Sequence, residues 1–580
     1  MLKKNKIMRK ISSRNAIPFR RCVQILSLIL FLSLLGSTVW PLTSLFIPQD
    51  FFLRIDPLVT ITIPLTVRSL LPSLIPGIIL LFITLLLGRI FCGYICPMGT
   101  TLDLSHSISK WFLDSKRNNL KKIPYISQYW YWIKYLALTV ILTAAVLSSN
   151  IALWGAPIPL ITRFYSLLMH PVILLFSEFT ISQIQPLFDI FNLNSMNYLA
   201  VTLRRFYSLY FLLAFFSILF LLELLRPRFW CRYLCPAGAL LAFLSWRPIW
   251  RRNIINCINC GQCSKHCPTG AINADNYESC HRECISCHTC KNICPVHGII
   301  FSPFKRSCLQ NKKTNSSHKY KENNKMHSIA ENSFCPMPTR RTFIGAAGAG
   351  ILLTSVQYSG ARSLLRLSSR GDIWEENCIR PPGAIPEPSF LDRCIRCGQC
   401  MKACPTNGLQ PTWLAAGPEG IFSPILVARR GPCEPDCNVC GHVCPTRAIR
   451  YLPLAEKHWA KIGTAVVLQY RCIAWAESRR CMVCQESCPY GAVNIIQKEE
   501  LSVPVPVVNS SRCYGCGYCE QHCPVRVPAI IVQPLNALRL NSNDYMSTAK
   551  AVGLELMPKA KGQIYNDDIQ EGELPPGFTE

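Results

Sequence analysis

Cys257-Ile-Asn-Cys260-Gly-Gln-Cys263-Ser-Lys-His-Cys267-Pro268 and Cys284-Ile-Ser-Cys287-His-Thr-Cys290-Lys-Asn-Ile-Cys294-Pro295 decide the fold of this chain. Each stretch reads C-x2-C-x2-C-x3-C-P, the spacing with which four thiolates wrap an iron–sulfur cubane. Thiolates are soft donors that suit iron, and the short loops turn backbone N–H groups toward the cluster sulfurs. In two-cluster folds of this spacing the fourth Cys ligates the other cluster. Cys294 is therefore expected to complete the first cubane and Cys267 the second. Zinc is the alternative for Cys-rich loops, and eight cysteines in two such runs argue against it. Residues 250–304 read as a cytoplasmic two-cluster ferredoxin domain.

Downstream, four more cysteine runs end in Cys-Pro. They are Cys394, Cys397, Cys400, Cys404; Cys433, Cys437, Cys440, Cys444; Cys472, Cys481, Cys484, Cys488; and Cys513, Cys516, Cys519, Cys523. The two middle runs depart from the standard spacing, with three and eight residues after their first Cys. Sixteen ligands suit four [4Fe–4S] clusters, which makes about six in the whole chain. Which run exchanges its last Cys with which stays open. Ala465–Leu468 and Val503–Val508, apolar pieces between runs, read as short strands. This four-cluster domain spans 385–535, with a tail from 536 to 580.

Between the two cysteine-rich parts lies Pro338-Thr-Arg340-Arg341-Thr-Phe343-Ile, continuing weakly apolar and Gly/Ala-rich to Val356. Thr339, Arg340, Arg341 and Phe343 match the start of a twin-arginine export signal, and Ser359 and Ala361 have the small-residue spacing of a cleavage site. An accidental Arg pair before a soluble helix is the alternative. The glycines do not make a dinucleotide loop, because their order is wrong and no strand precedes them. The segment 338–361 is thus a signal or an anchor, reached through a polar linker, 305–337. With some 340 residues ahead of it, it implies two working parts with a membrane between them.

Upstream, residues 1–22 form a basic start and 23–245 a membrane domain. Half of the 580 residues are hydrophobic and 16% charged, a membrane-protein balance. Val23–Leu42, Leu70–Leu87, Tyr135–Trp154 and Phe206–Leu222 read as four transmembrane helices, against the ~20 residues a bilayer needs. Phe164–Phe188, broken by His170, Pro171, Glu178 and Pro186, reads as an interfacial or re-entrant segment. His170 and Glu178 there are either quinol proton handlers or ordinary interfacial residues. The formal charge of +28 is concentrated in residues 1–22 and 302–341. These runs flank apolar spans, so membrane orientation explains them and nucleic acid does not. Cys92-Gly-Tyr-Ile-Cys96-Pro97 and Cys231-Arg-Tyr-Leu-Cys235-Pro236 follow the second and fourth spans as an internal repeat. Four thiols at one membrane face can hold a metal or cluster, or act as a redox pair. Cys22, Cys280, Cys308, Cys335 and Cys378 fit no array.

Residues 20–300 resemble the NapH-type membrane ferredoxins, the quinol dehydrogenase component that accompanies periplasmic nitrate reductases. The resemblance rests on the spans, the Cys92/Cys96 and Cys231/Cys235 elements and the two cluster runs. Residues 338–535 are similar to the exported four-cluster ferredoxins of the NapG/MauM family, through the twin-arginine signal and the four Cys-Pro runs. The fold class expected is an α-helical membrane domain plus α+β ferredoxin-like domains. The resemblance implies a multi-pass protein of the cytoplasmic membrane, in contact with lipid, that passes electrons between the quinone pool and an extracytoplasmic redox partner. Cys92, Cys96, Cys231 and Cys235 would take part in that transfer. An assembly factor for a respiratory enzyme and a wholly cytoplasmic membrane-anchored polyferredoxin are the rival readings.

Overall fold

The computed structural model describes residues 18–39, 46–113, 130–150, 155–190, 204–246, 248–255, 257–273, 277–303, 339–358, 378–413, 415–499 and 501–558. The basic start before Pro18, the whole polar linker, Ser359, Ala361 and the tail from 559 lie outside these residues, as do Cys308 and Cys335.

A bundle of helices makes up the first half: α1 (Pro18–Gly36), α2 (Pro57–Val67), α3 (Ile75–Leu87), α4 (Pro97–Leu113), α5 (Trp130–Val146), α6 (Pro157–Arg163), α7 (His170–Ile190), α8 (Leu209–Leu225) and α9 (Pro236–Leu244). A further helix, α10 (Arg340–Tyr358), covers most of the segment read as a twin-arginine signal. Asp56 caps α2, its carboxylate accepting from the Leu58 and Val59 N–H groups, and Pro57 occupies a first-turn position where no N–H is missed. The other carboxylate oxygen of Asp56 accepts from Ile158 N at 3.1 Å, so one buried side chain joins the starts of α2 and α6.

The spans differ from the four expected. Phe19–Gly36 and Pro157–Gln183 are the described helices long and apolar enough to cross a membrane alone. Pro72–Leu87 and Ile90–Ser109 would be a third, but they are bent by 98° at Gly88, whose φ of 79° ends the helix. α5 and α8 are apolar but 17 residues long within the described residues, so each rises about 25 Å there, short of the ~30 Å hydrocarbon core. The segment read as interfacial or re-entrant is continuous helix, with no break at His170 or Pro171. A π-helical turn, Phe164–Met169, precedes His170 and Pro171, and its wider winding absorbs the N–H that proline lacks.

The iron–sulfur regions share one plan, used three times. In each unit an outer pairing joins the segments before the first run and after the second, and an inner pairing joins the segments between them. β1 (Arg251–Ile254) pairs antiparallel with β2 (Ile299–Ser302), around an inner bridge Ile272–Ser279. Ala384 bridges Ile449 around β3 (Leu409–Pro411) and β4 (Pro424–Leu426). β5 (Thr464–Val467) pairs with β8 (Ile530–Gln533) around β6 (Val493–Ile496) and β7 (Val505–Val508). The apolar pieces at 465–468 and 503–508 overlap β5 and β7. The region after α10 is thus two such units in tandem.

These units pack on opposite ends of the helices. At one end Arg20 and Gln24 of α1 reach Gly93 and Asp103, and Lys134 and Tyr135 of α5 reach Glu283 of the first unit. At the other end of α1 the Leu35 carbonyl and the Thr38 hydroxyl accept from Lys402 Nζ at 2.7 and 3.0 Å. Asn150, beyond α5, accepts through its carbonyl from Arg396 at 3.0 Å. α10 lies along α5, and Gly350 meets Thr143 and Val140 so closely that a side chain would not fit. Ala346 and Thr354, one turn on either side, are buried in the same seam.

Candidate iron–sulfur and thiol sites

Local backbone geometry prepares the cysteine loops. In four runs the residues just before and just after the second Cys are left-handed: Asn259 and Gly261, Ser286 and His288, Arg396 and Gly398, Gly515 and Gly517. Two such residues in a row of five curl the loop so that three thiols face one point. The two runs of altered spacing do without this pair and use a longer loop; Asn438 and Met482 keep negative φ. Proline at the fourth Cys then ends each loop.

Four thiols line each of five cavities. Cys257, Cys260 and Cys263 share one with Cys294; Cys284, Cys287 and Cys290 share another with Cys267. Cys394, Cys397 and Cys400 are completed by Cys444. Cys513, Cys516 and Cys519 are completed by Cys488, and Cys472, Cys481 and Cys484 by Cys523. Cys433, Cys437 and Cys440 lie within electrostatic reach of Cys404. The exchange left open by the spacing is therefore reciprocal inside each unit, first run with second and third with fourth.

The donor set fits a cluster rather than a lone ion. Each cavity is ringed by four thiols, and no three His, Cys, Asp or Glu among the described residues converge tightly enough for one metal ion. Backbone N–H groups aim at the sulfurs: Ile449 at Cys444, Ala465 at Cys513, Ala492 at Cys488 and Ala529 at Cys523, at 3.3 to 3.4 Å. Burial pushes the bare Cys397 thiol up to about 12. A thiolate there needs cationic iron beside it.

The four cysteines of the C-x-x-x-C-P repeat also come together. Cys231 lies within electrostatic reach of Cys92, Cys96 and Cys235. The repeat that carries them is longer than C-x-x-x-C-P: it reads R-x-x-C-x-x-x-C-P-x-G, from Arg89 to Gly99 and from Arg228 to Gly238. The two copies interlock. A Cβ on Gly238 would lie 2.9 Å from Arg89 Nη2, and one on Gly99 would lie 3.4 Å from Arg228 Nη2. Each glycine leaves room for the other copy's guanidinium. Arg228 donates to the Cys92 carbonyl at 2.8 Å and twice to Asp103 at 2.7 Å. Arg89 donates to Glu283 at 2.7 Å, and Lys134 and Tyr135 donate to the same carboxylate at 2.6 Å.

Glu283 precedes Cys284, so this carboxylate ties the first unit to the thiol repeat. A Cβ on Gly93 would sit 2.5 Å from the Ile285 carbonyl, which places Cys92 and the Cys284–Cys287 loop side by side. On the other side Gly155 abuts Pro236, and Leu167 of the π turn packs 3.1 Å from a Cβ on Gly398, between Cys397 and Cys400. His170 is half-buried beyond that turn, while Glu178 is exposed two turns further on. Of the unassigned cysteines, Cys22 is exposed, Cys280 is buried, and buried Cys378 donates to the Ala415 carbonyl at 3.2 Å.

A family profile described as a 4Fe-4S binding domain matches residues 70–116 and 208–256, the two halves that carry the interlocked repeats. Another of the same description matches 256–273 and 390–410, and a 4Fe-4S dicluster domain profile matches 471–527. The methylamine utilization ferredoxin-type protein MauM of Methylorubrum extorquens is 34% identical over 212 residues, 34% of this chain and 90% of that protein. The ferredoxin-type protein NapG of Escherichia coli is 36% identical over 206 residues, 34% of this chain and 82% of that protein. The chain belongs to the MauM/NapG family of ferredoxin-type proteins. No solved structure matches. The ferredoxin-type protein NapF of Escherichia coli is also similar, 34% identical over 164 residues, 28% of this chain and 88% of that protein. This MauM/NapG-family chain carries several 4Fe-4S binding domains and is an iron–sulfur electron-transfer protein.

Arg89, Arg228 and Glu283 were not singled out from the sequence of this MauM/NapG-family protein. The arginines had a legible signal, since each stands three residues before the first Cys of its repeat. Glu283 had none, because its partners lie 194, 149 and 148 residues away.

Proposed function

We propose that the chain is a membrane-bound electron carrier that passes electrons between the quinone/quinol pool and an extracytoplasmic redox partner. The observation that carries this reading is a series of thiol groups laid out along the helices. It runs from the first ferredoxin unit, past Cys92, Cys96, Cys231 and Cys235, into the tandem units at the far end of the helices. Gly93 on Ile285 and Leu167 on Gly398 are its close passages, and inside the tandem units Cys433 N donates to the Cys516 carbonyl at 2.8 Å. In this reading residues 23–245 and α10 lie in the membrane, 250–304 on its cytoplasmic side and 385–535 outside. The first part acts as a NapH-like membrane ferredoxin fused to the MauM/NapG-like part. The tight packing of α10 on α5 supports an uncleaved anchor.

When bound, a [4Fe–4S] cluster supplies one-electron oxidation and reduction at each thiol ring. The chain's own residues hold the thiolates, shield most of them from water and set their separations. Arg89 and Arg228 place positive charge beside the four membrane-region thiols. The test is anaerobic addition of quinol to the purified chain in lipid nanodiscs. About 24 iron atoms per chain and quinol-dependent bleaching of the cluster absorbance are expected. Cys92→Ser with Cys231→Ser should abolish the bleaching and keep the iron of the six runs. Undiminished bleaching in that double variant would return these cysteines to a structural role.

A further inference from the structure

The third run of the tandem units is the most irregular, with eight residues between Cys472 and Cys481 where two are standard. Those residues form a short helix, Ile473–Ala476, and a turn at Ser478, φ 52°, that leaves Arg479 and Arg480 exposed. Arg479 pairs with Glu477. Arg480 has no ion-pair partner among the described residues, nor has Arg526. The cavity itself is walled by Cys472, Cys481, Cys484, Cys523, Pro524 and Val525. Exposed Arg471, Arg480 and Arg526 therefore stand immediately beside its wall residues Cys472, Cys481 and Val525. Three large apolar side chains sit among them in sequence and are open to solvent: Tyr470 at 70%, Met482 at 47% and Val527 at 54%. Arg429 adds a fourth guanidinium, donating to the carbonyls of Gln521 and Cys523 in the loop that carries the last thiol.

This rim is at the free end of the thiol string. The hydrogen bonds and ring contacts between the tandem units and the helices run through residues 392–430, in the other unit. Exposed aromatic, Met and Arg side chains are the composition of protein interfaces, and unpaired rim charge steers a partner of opposite sign. We propose that the rim of the Cys472/Cys481/Cys484/Cys523 cavity is the docking face for an acidic redox protein. The partner takes up one electron from the chain there, or delivers one. The proposal rests on the carrier reading and adds to it the site and the charge of the partner.

The full chain in nanodiscs is tested for binding of rubredoxin, an acidic redox protein, and of a basic c-type cytochrome, by interferometry at low and high salt. The wild-type chain should hold rubredoxin about tenfold more tightly than the cytochrome and lose that preference at high salt. Arg471→Glu with Arg480→Glu and Arg526→Glu should remove the preference. Arg480→Glu alone should lower the affinity about threefold, which guards against misfolding of the triple variant. Lys265→Glu with Lys291→Glu, on the first ferredoxin unit, should change nothing. Unaltered rubredoxin binding by the triple variant overturns the proposal, as does an equal loss in the lysine variant. So does a result in which the triple variant loses binding to phosphatidylglycerol vesicles but not to rubredoxin, since the rim would then face lipid. Quinol bleaching is measured on the same samples without acceptor. Its absence in the wild type would refute the carrier reading and leave the binding result to judge the docking face.

Discussion

The first ferredoxin unit and the tandem pair are built on one plan but are held and shielded differently. In the first unit Cys257 and Cys260 are exposed, whereas Cys513, Cys516, Cys519 and Cys523 of the last run are buried. The first unit is docked through a buried carboxylate, Glu283, against two cations and a phenol, with Tyr94 Oη also donating to the Ser286 carbonyl at 3.1 Å. The tandem pair is docked through side-chain bonds to backbone carbonyls and through ring contacts, such as Phe211 on Trp413 at 4.8 Å. Solvent exposure and nearby charge are what shift cluster potentials. The same ligand loop can therefore serve two electrical roles, and the surroundings, not the loop, set the difference.

The largest effect expected from breaking this comparison is all-or-none. If the two regions lie on opposite sides of a membrane, external protease on spheroplasts should cut the tandem units and spare 250–304. Arg340→Lys with Arg341→Lys should leave the tandem units protected. A twin-arginine route carries folded domains, and a four-cluster domain needs that, because unfolding through a pore would strip its metal. Protection of the tandem units in the unmutated chain would put both regions on one side.

A smaller effect concerns the ionic dock. Burial alone would raise the Glu283 carboxyl, but Lys134 and Arg89 overcome it and hold it at about 2. The folded value is depressed, so this contribution to docking is complete above the ordinary 4.5 and is lost as pH falls through about 2. It amounts to about 3 kcal/mol over that window. Glu283→Gln should cost about 3 to 5 kcal/mol at neutral pH, because it strands two buried cations. Hydrogen exchange of residues 250–303 measures both: faster exchange in the variant, and loss of its pH dependence between 4.5 and 2. The tandem units, docked without such a carboxylate, should show neither change.

The smallest effect compares equivalent glycines. Gly261 and Gly398 each follow the second Cys of a run with positive φ, 69° and 80°. Gly261→Ala meets only the Tyr277 ring end at 3.8 Å and should cost about 1 kcal/mol from the left-handed backbone. Gly398→Ala also presses on Leu167 at 3.1 Å and should cost about 2 to 3 kcal/mol. Loss of cluster absorbance on heating ranks the two. Equal sensitivity would mean that the Leu167 contact does not hold the tandem units to the helices.

What the sequence alone determined is local. The cysteine spacings specify ligand loops because each loop closes within a few residues, and Cys-Pro and left-handed positions such as Gly261 encode its turns. The short strands read at Ala465–Leu468 and Val503–Val508, which overlap β5 and β7, were legible for the same reason. Helix ends were less so: an apolar run does not reveal that Gly88 will break it or that a π turn will carry the helix through Pro171. The partner of each fourth cysteine, the interlock of Arg89 with Gly238 and of Arg228 with Gly99, and the seat of Glu283 were decided by tertiary structure. Their partners are separated by tens to nearly two hundred residues, and a buried charge chooses its partner by what the packed helices bring within hydrogen-bond reach.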